Sequence, residues 1–154
     1  MASGLPDYYR GVDIAYQALS QMIVRPKYGG ATHKTDGIVV DASEKTILKW
    51  VTGKGMIYGG IIFLDHTASQ KTGIIDFKVD GNLISSMNFE SMEKYGVNVP
   101  QSYPIYLLKY DDTAFVYCVA LSNGITFEEN ILLEYTESEG ETPMVFFDIV
   151  YALI

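Results

Sequence analysis

From Gly37 onward the chain is a succession of short runs of β-branched and aromatic residues, and this pattern constrains the fold more than any motif does. The runs are "GIVVD", "KTILKWVT", "GMIYGGIIFLD", "GIIDFKVD", "NLISSMNF", "YPIYLLKY", "TAFVYCVALS", "GITFEENILLEYTE" and "PMVFFDIVYALI". Each ends near Gly, Asn, Asp or Pro, so each reads as a strand bounded by turn chemistry. No strand alternates with a helical pattern, which argues against a parallel, doubly wound sheet. Asp80-Gly81 and Asn123-Gly124 favour the positive φ of tight hairpins, and Asp111-Asp112-Thr113 suits a type I turn. Antiparallel neighbours follow. The stretch "NFESMEKYG", residues 88–96, predicts one or two helical turns over an open end of the sheet.

About nine antiparallel strands in one domain predict two packed sheets, a jelly-roll-like β-sandwich in preference to a closed barrel. In "TAFVYCVALS" Phe115, Tyr117, Val119 and Leu121 alternate with Ala114, Val116, Cys118 and Ala120, and both sets are apolar. A strand of that kind is covered on both sides. A small sandwich usually wets one face, so cover by an arm, a helix or another subunit is expected. The final run, Met144 to Leu153, is broken only by Asp148 and reads as an internal strand.

The first 36 residues follow a different rule. Val12, Ala15, Leu19 and Met22 recur at spacings of three, four and three, with Ile23 beside the last, which is one helical stripe. Asp13 can cap this helix, and Pro26 makes Arg25 a poor helical residue and marks the end. A helix of about a dozen residues is marginal alone in water and must lay its stripe on something. "PKYGGATHKTDG", from Pro26 to Gly37, has no periodicity and reads as an extended or mobile connector. The domain organisation expected is therefore an N-terminal helical arm and tether, residues 1–36, ahead of a β-sandwich domain, residues 37–154. Residues 1–36 hold four basic and three acidic side chains, whereas residues 37–154 hold seven and sixteen. A near-neutral arm on a basic tether is drawn to the acidic body of a neighbouring copy. Val12, Ala15, Leu19, Met22, Ile23, Arg25 and Lys27 are the expected subunit-interface residues.

Charge and composition narrow the function classes. A net charge of −8 and a pI near 4.6 argue against nucleic acid as a partner. No run approaches the roughly 18 apolar residues of a membrane span, and "MASGLPDYYR" lacks the charged and apolar regions of a signal peptide, so a cytoplasmic origin without membrane partners is expected. The single cysteine, Cys118, lies in an apolar run and reads as a buried structural thiol.

Catalytic chemistry finds little support. His66 follows Asp65, and a triad with Ser85 or Ser86 can be written, but no nucleophile elbow, H-E-x-x-H or paired cysteine motif stands behind it. Asp65, Asp76, Asp80, Asp111 and Asp112 lie near strand ends without the spacing of a calcium loop, and read as solvated turns. "GKGMIYGG" precedes a strand where a phosphate loop precedes a helix, and reads as a turn and a strand bend. Glu128, Glu129, Glu134, Glu137, Glu139 and Glu141 read as a soluble face and hairpin edge. The expectation is a protein that is not an enzyme, with no catalytic, cofactor or metal residues. Twelve tyrosines and Trp50 raise sugar stacking, yet Tyr103 falls on the opposite alternation face from Tyr106 and Tyr110; an interface uses tyrosine equally well.

"VTGKGMIYGGIIFLD" followed by "IIDFKVDGNLIS", a glycine-marked strand and then a strand ending in "DG", resembles a pattern of bacteriophage virion proteins. "LPDYYRGVDIAYQALSQMIVRPKYGG" ahead of a small β-sandwich is similar to a virion subunit whose arm threads into its neighbours. The resemblance implies a virion structural or assembly protein of a tailed phage, in the capsid, head-to-tail region or tail. Its partners would be copies of itself and other virion proteins, and its location the virion after synthesis in the host cytoplasm. The alternative is a carbohydrate- or receptor-binding β-sandwich module.

Overall fold

The computed structural model describes residues 30–100 and 103–154. Ten strands and one helix appear there: β1 (Thr32–Val39), β2 (Lys45–Thr52), β3 (Gly55–Asp65), β4 (Ile74–Val79), β5 (Asn82–Asn88), α1 (Phe89–Tyr95), β6 (Ile105–Asp111), β7 (Val116–Leu121), β8 (Ile125–Phe127), β9 (Asn130–Thr136) and β10 (Met144–Leu153). The larger sheet has the order β1-β10-β3-β7-β6, with β8 also paired to β3, and the smaller has the order β2-β9-β4-β5. Every pairing is antiparallel. The first four strands fall alternately in the two sheets, and the last two are inserted between them. β9 separates β2 from β4, and β10 separates β1 from β3. β10 is internal, as its near-continuous apolarity predicts.

The two sheets share one core because each strand turns alternate residues the same way. Val145, Phe147, Ile149 and Tyr151 of β10 and Tyr117, Val119 and Leu121 of β7 belong to the same buried cluster as Ile131, Leu133 and Tyr135 of β9 and Ile75 and Phe77 of β4. At one end α1 joins the two layers. Phe89 stacks on Tyr117 of the larger sheet at 5.0 Å between centroids and lies 6.4 Å from Tyr135 of the smaller. The helix starts where the Asn88 side chain accepts the Ser91 N–H at 2.7 Å, and stops at Gly96, whose φ of 67° suits glycine. The short helix expected at 88–96 is present.

The expected fold class needs correction in its helix. The single helix among the described residues is α1, inside the strand order between β5 and β6, and neither sheet closes into a barrel. The helical arm ahead of the strands falls on residues 1–29, outside the described residues. The fold is thus mainly β, two antiparallel sheets with an interior helix. The connector reading is also revised over its last residues, since β1 begins at Thr32 and pairs with β10 from Thr32↔Tyr151 to Val39↔Met144. Thr32 to Gly37 has no strand periodicity of its own; its pairing comes from β10. Gly37 fits there for a second reason: a Cβ would sit 2.8 Å from the Phe146 ring.

Candidate functional site

The outer face of the larger sheet is the strongest candidate, and its shape begins with a glycine pair. β3 pairs with β10 in register from Leu64↔Val145 to Gly59↔Val150, then slips by one residue so that Ile57 faces Tyr151. Tyr58 is the extra residue of this bulge. Gly59 carries φ +152°, a conformation side chains rarely adopt, and a Cβ on Gly60 would lie 2.8 Å from the Asp148 carbonyl oxygen. The bulge changes the alternation phase, so Tyr58, Ile61 and Phe63 all point outward while Ile57, Ile62 and Leu64 are buried.

Three cross-strand rows form the face. Gly37, Phe146, Phe63 and Cys118 are successive partners; so are Thr35, Asp148, Ile61, Ala120 and Tyr106; so are His33, Val150 and Gly59. Phe63 and Phe146 stack at 4.9 Å with a 10° interplanar angle, a favourable cross-strand aromatic pair. Phe63 remains 37% exposed and Leu108, at a second bulge in β6, 53% exposed. Beside them a groove of about 730 Å3 is walled by His33, Tyr58, Ile61, Tyr106, Leu108, Asn123, Asp148 and Val150, with Gly59, Gly60 and Ala120 among its lining. His33 Nε2 lies 2.5 Å from Asp148 Oδ1 and 3.1 Å from Thr35 Oγ1, so the groove's carboxylate already has a partner. Burial raises the pKa of the Cys118 thiol, and the side chain is a half-buried part of the face.

The smaller sheet faces outward differently. Asp76 and Glu134 are direct partners on β4 and β9, and Lys45 bonds Asp76 while Lys78 Nζ lies 2.7 Å from Glu134 Oε2. Burial raises the Asp76 pKa, but hydrogen bonds from Lys45 and Ser86 and the charges of Lys45 and Lys78 outweigh it, and the carboxyl lies below its ordinary value. The Lys45 ammonium is correspondingly raised, chiefly by its hydrogen bond to Asp76.

The other carboxylates of interest hold loops. Asp80 accepts the N–H groups of Glu128, Glu129 and Asn130 at 2.7–3.1 Å, which lowers its pKa. Asp111 accepts those of Thr113 and Ala114, and Asp112 accepts the Ser69 and Tyr117 hydroxyls at 2.6 and 2.5 Å. Glu137 is only 1% exposed and accepts from the backbone of Ser43, Glu139 and Gly140; with Glu134 also buried, the acidic stretch is only partly the soluble face expected of it. Burial raises the Glu137 pKa, but these backbone donors bring it below its ordinary value. Among the described residues no three His, Cys, Asp or Glu side chains are placed to hold a metal ion, and no helix is long and apolar enough to cross a membrane.

Of the residues singled out from sequence, His66 lies 3.7 Å from Glu141, while Ser85 and Ser86 sit on β5 in the other sheet. Tyr106 lines the groove, whereas Tyr110 packs edge-on against Tyr117 at 5.5 Å. The interface residues Val12, Ala15, Leu19, Met22, Ile23, Arg25 and Lys27 lie outside the described residues. Tyr58, Ile61, Phe63, Leu108 and Phe146 were not legible as one surface, because bulges shift the alternation that would have grouped them; the glycine pair was the available signal. A scan against protein-family models finds no match, and a search of curated proteins finds none either.

Proposed function

We propose that this chain is a structural assembly protein that works by contact with neighbouring copies, in keeping with its resemblance to small virion subunits of tailed phages. The supporting observation is the outer face of the larger sheet, where stacked Phe63 and Phe146, with Ile61, Leu108 and Met144, meet solvent around a broad groove. A contiguous apolar surface of this kind suits association better than solvation. No catalytic step is assigned to the chain. Its partners under this reading are its own copies and other virion proteins, and its location is the particle.

The test is the size of the full chain by sedimentation velocity over a range of concentrations. The expected outcome is an oligomer, which Phe63→Asp converts to folded monomers with association weakened at least tenfold. Trp50→Ser, on the smaller sheet, is expected to leave the oligomer intact. A wild-type chain that remains monomeric throughout would overturn the assembly reading. A second reading, a carbohydrate- or receptor-binding module, draws on Tyr58 and Tyr106 beside Asn123 in the groove; saturable glycan binding by a monomer would favour it.

A further inference from the structure

Four strands end the two sheets, β1 and β6 in the larger, β2 and β5 in the smaller. Three of them are interrupted where they pair. The register slips between Ile47 and Lys49 on β2, between Leu83 and Ser85 on β5, and between Leu107 and Lys109 on β6. Bulges of this kind turn an edge away from further pairing, and β6 is also covered in part, its Leu107 N–H bonding the Val97 carbonyl at 2.7 Å. Of the four, β1 alone runs from Thr32↔Tyr151 to Val39↔Met144 with no shift, and among the described residues no strand lies on its other side.

The ladder shows what that open side presents. One step beyond Val39 the Val40 N–H bonds the Pro143 carbonyl at 2.9 Å, so the even-numbered residues of β1 turn their backbone groups toward β10. His33, Thr35, Gly37 and Val39 turn theirs outward. Between them stand two charges. Lys34 and Asp36 are exposed although they pair with the core residues Ile149 and Phe147, and the Asp36 carboxylate accepts the outward Gly37 N–H at 2.9 Å. Inward charges on an edge strand block indiscriminate pairing. A second β1, antiparallel and with Thr35 facing Thr35, is the exception, because it sets Lys34 opposite Asp36 of the other copy and Asp36 opposite its Lys34. In that register outward groups meet outward groups at His33, Thr35 and Gly37, and the charged pairs take the closer positions, about 4.5 Å between Cα atoms. Sliding one strand by two residues in either direction sets Lys34 against Lys34 or Asp36 against Asp36, which is repulsive.

We infer that β1 is a homotypic edge contact, pairing antiparallel with β1 of a second copy about a two-fold axis at Thr35 and joining two larger sheets into one. A two-fold contact of this kind is self-complementary and closes. The inference rests on the assembly reading, because so short an edge pairing is small beside the roughly 1,000 Å2 of a lasting interface and persists only together with the apolar face. Facing residues of an antiparallel pair point to the same side, so the two outer faces, each with its Phe63–Phe146 stack, come to lie next to each other as one surface.

Disulfide trapping in the full-length chain tests both the edge and its register. In a Cys118→Ser background, Thr35→Cys places the one cysteine on the two-fold axis, where about 5.5 Å between facing Cα atoms suits a disulfide. The expected result under mild oxidation is a covalent dimer at least tenfold more abundant than from Ser86→Cys, exposed on the edge strand β5. Adding Lys34→Glu or Asp36→Lys should each cut the Thr35→Cys yield at least tenfold, and mixing the two charge variants should restore it, since each then meets the opposite charge at both positions. A yield that ignores both reversals, or that fails to recover in the mixture, would overturn the proposal. A wild-type oligomer by sedimentation with no selective cross-link would refute the edge contact while sparing the assembly reading. A monomeric wild-type chain would remove both.

Discussion

The two sheets share a core and turn different chemistry outward. At the centre of the smaller sheet two carboxylates, Asp76 and Glu134, stand directly opposite each other, an arrangement that is repulsive unless cations intervene. Lys45 and Lys78 supply them, so this face carries its own neutralising partners. At the centre of the larger sheet the corresponding side chains are Phe63, Phe146, Ile61 and Ala120, and His33 is paired with Asp148. One side of the protein thus carries its own neutralising charges, and the other leaves apolar side chains at its surface, although Trp50 at 59% exposure shows that the smaller sheet is not purely ionic.

Both sheets contribute to one buried cluster, and the largest expected effect comes from cutting into it. Deleting residues 149–154 removes Ile149, Tyr151 and Ala152 from the shared core and cuts short the pairing of β10 with both neighbours at Asp148. Loss of cooperative unfolding is expected, read by denaturant titration. If amide exchange still showed native-like protection in β2, β4 and β9, the sheets would be separate units. Next in size is Glu134→Ala, which leaves Lys78 without its nearest carboxylate and is expected to cost about 1–3 kcal/mol, the lower part of the range reflecting lysines that reach solvent. Stability should fall while the oligomer persists, the reverse of Phe63→Asp; dissociation by Glu134→Ala would erase the distinction between the faces.

The smallest effect is a dependence on acid. Asp76 and Glu137 have folded-state pKa values below their ordinary values of 3.8 and 4.5. Depressed carboxyl groups contribute stability in full above their unfolded pKa values, and that contribution is lost as pH falls through the folded ones. The melting temperature should therefore be level near neutrality and decline below about pH 4.5, by a few degrees at first. In Asp76→Asn the decline should be shallower; an unchanged slope would mean that the ionic face contributes little to acid sensitivity.

Much of the strand pattern was readable because hydrophobic runs and turn residues mark it directly. Asp80-Gly81 forms the β4–β5 hairpin with φ of 50° and 77°, as the dipeptide predicts. Asn88 and Gly96 likewise mark the ends of α1. β1 was hidden in part because Thr32 to Gly37 acquires its strand character from β10. The candidate face was hidden by the same bulges that shape it. Tyr106 and Tyr110 share a parity in sequence, yet the irregularity between Leu107 and Lys109 sends one to the groove and the other against Tyr117. Glu137 looked like one more acid in a soluble stretch; its role as an acceptor depends on backbone from Ser43, 94 positions away.

The insertion of β9 and β10 between earlier strands has a consequence for biosynthesis. During translation β1 and β3 emerge without the strand that will separate them, and β2 and β4 are in the same position. The smaller sheet cannot reach its final order until Thr136 has been made, nor the larger until Leu153, so most pairings close over long sequence distances and folding should be slow for a protein of this size. In the interval, unpaired edges rich in Ile, Val and Phe are open to the same edges on other nascent chains. Expression at lower temperature, or with a chaperone that shields nascent strands, should accordingly raise the soluble yield more than it changes the stability of the finished protein.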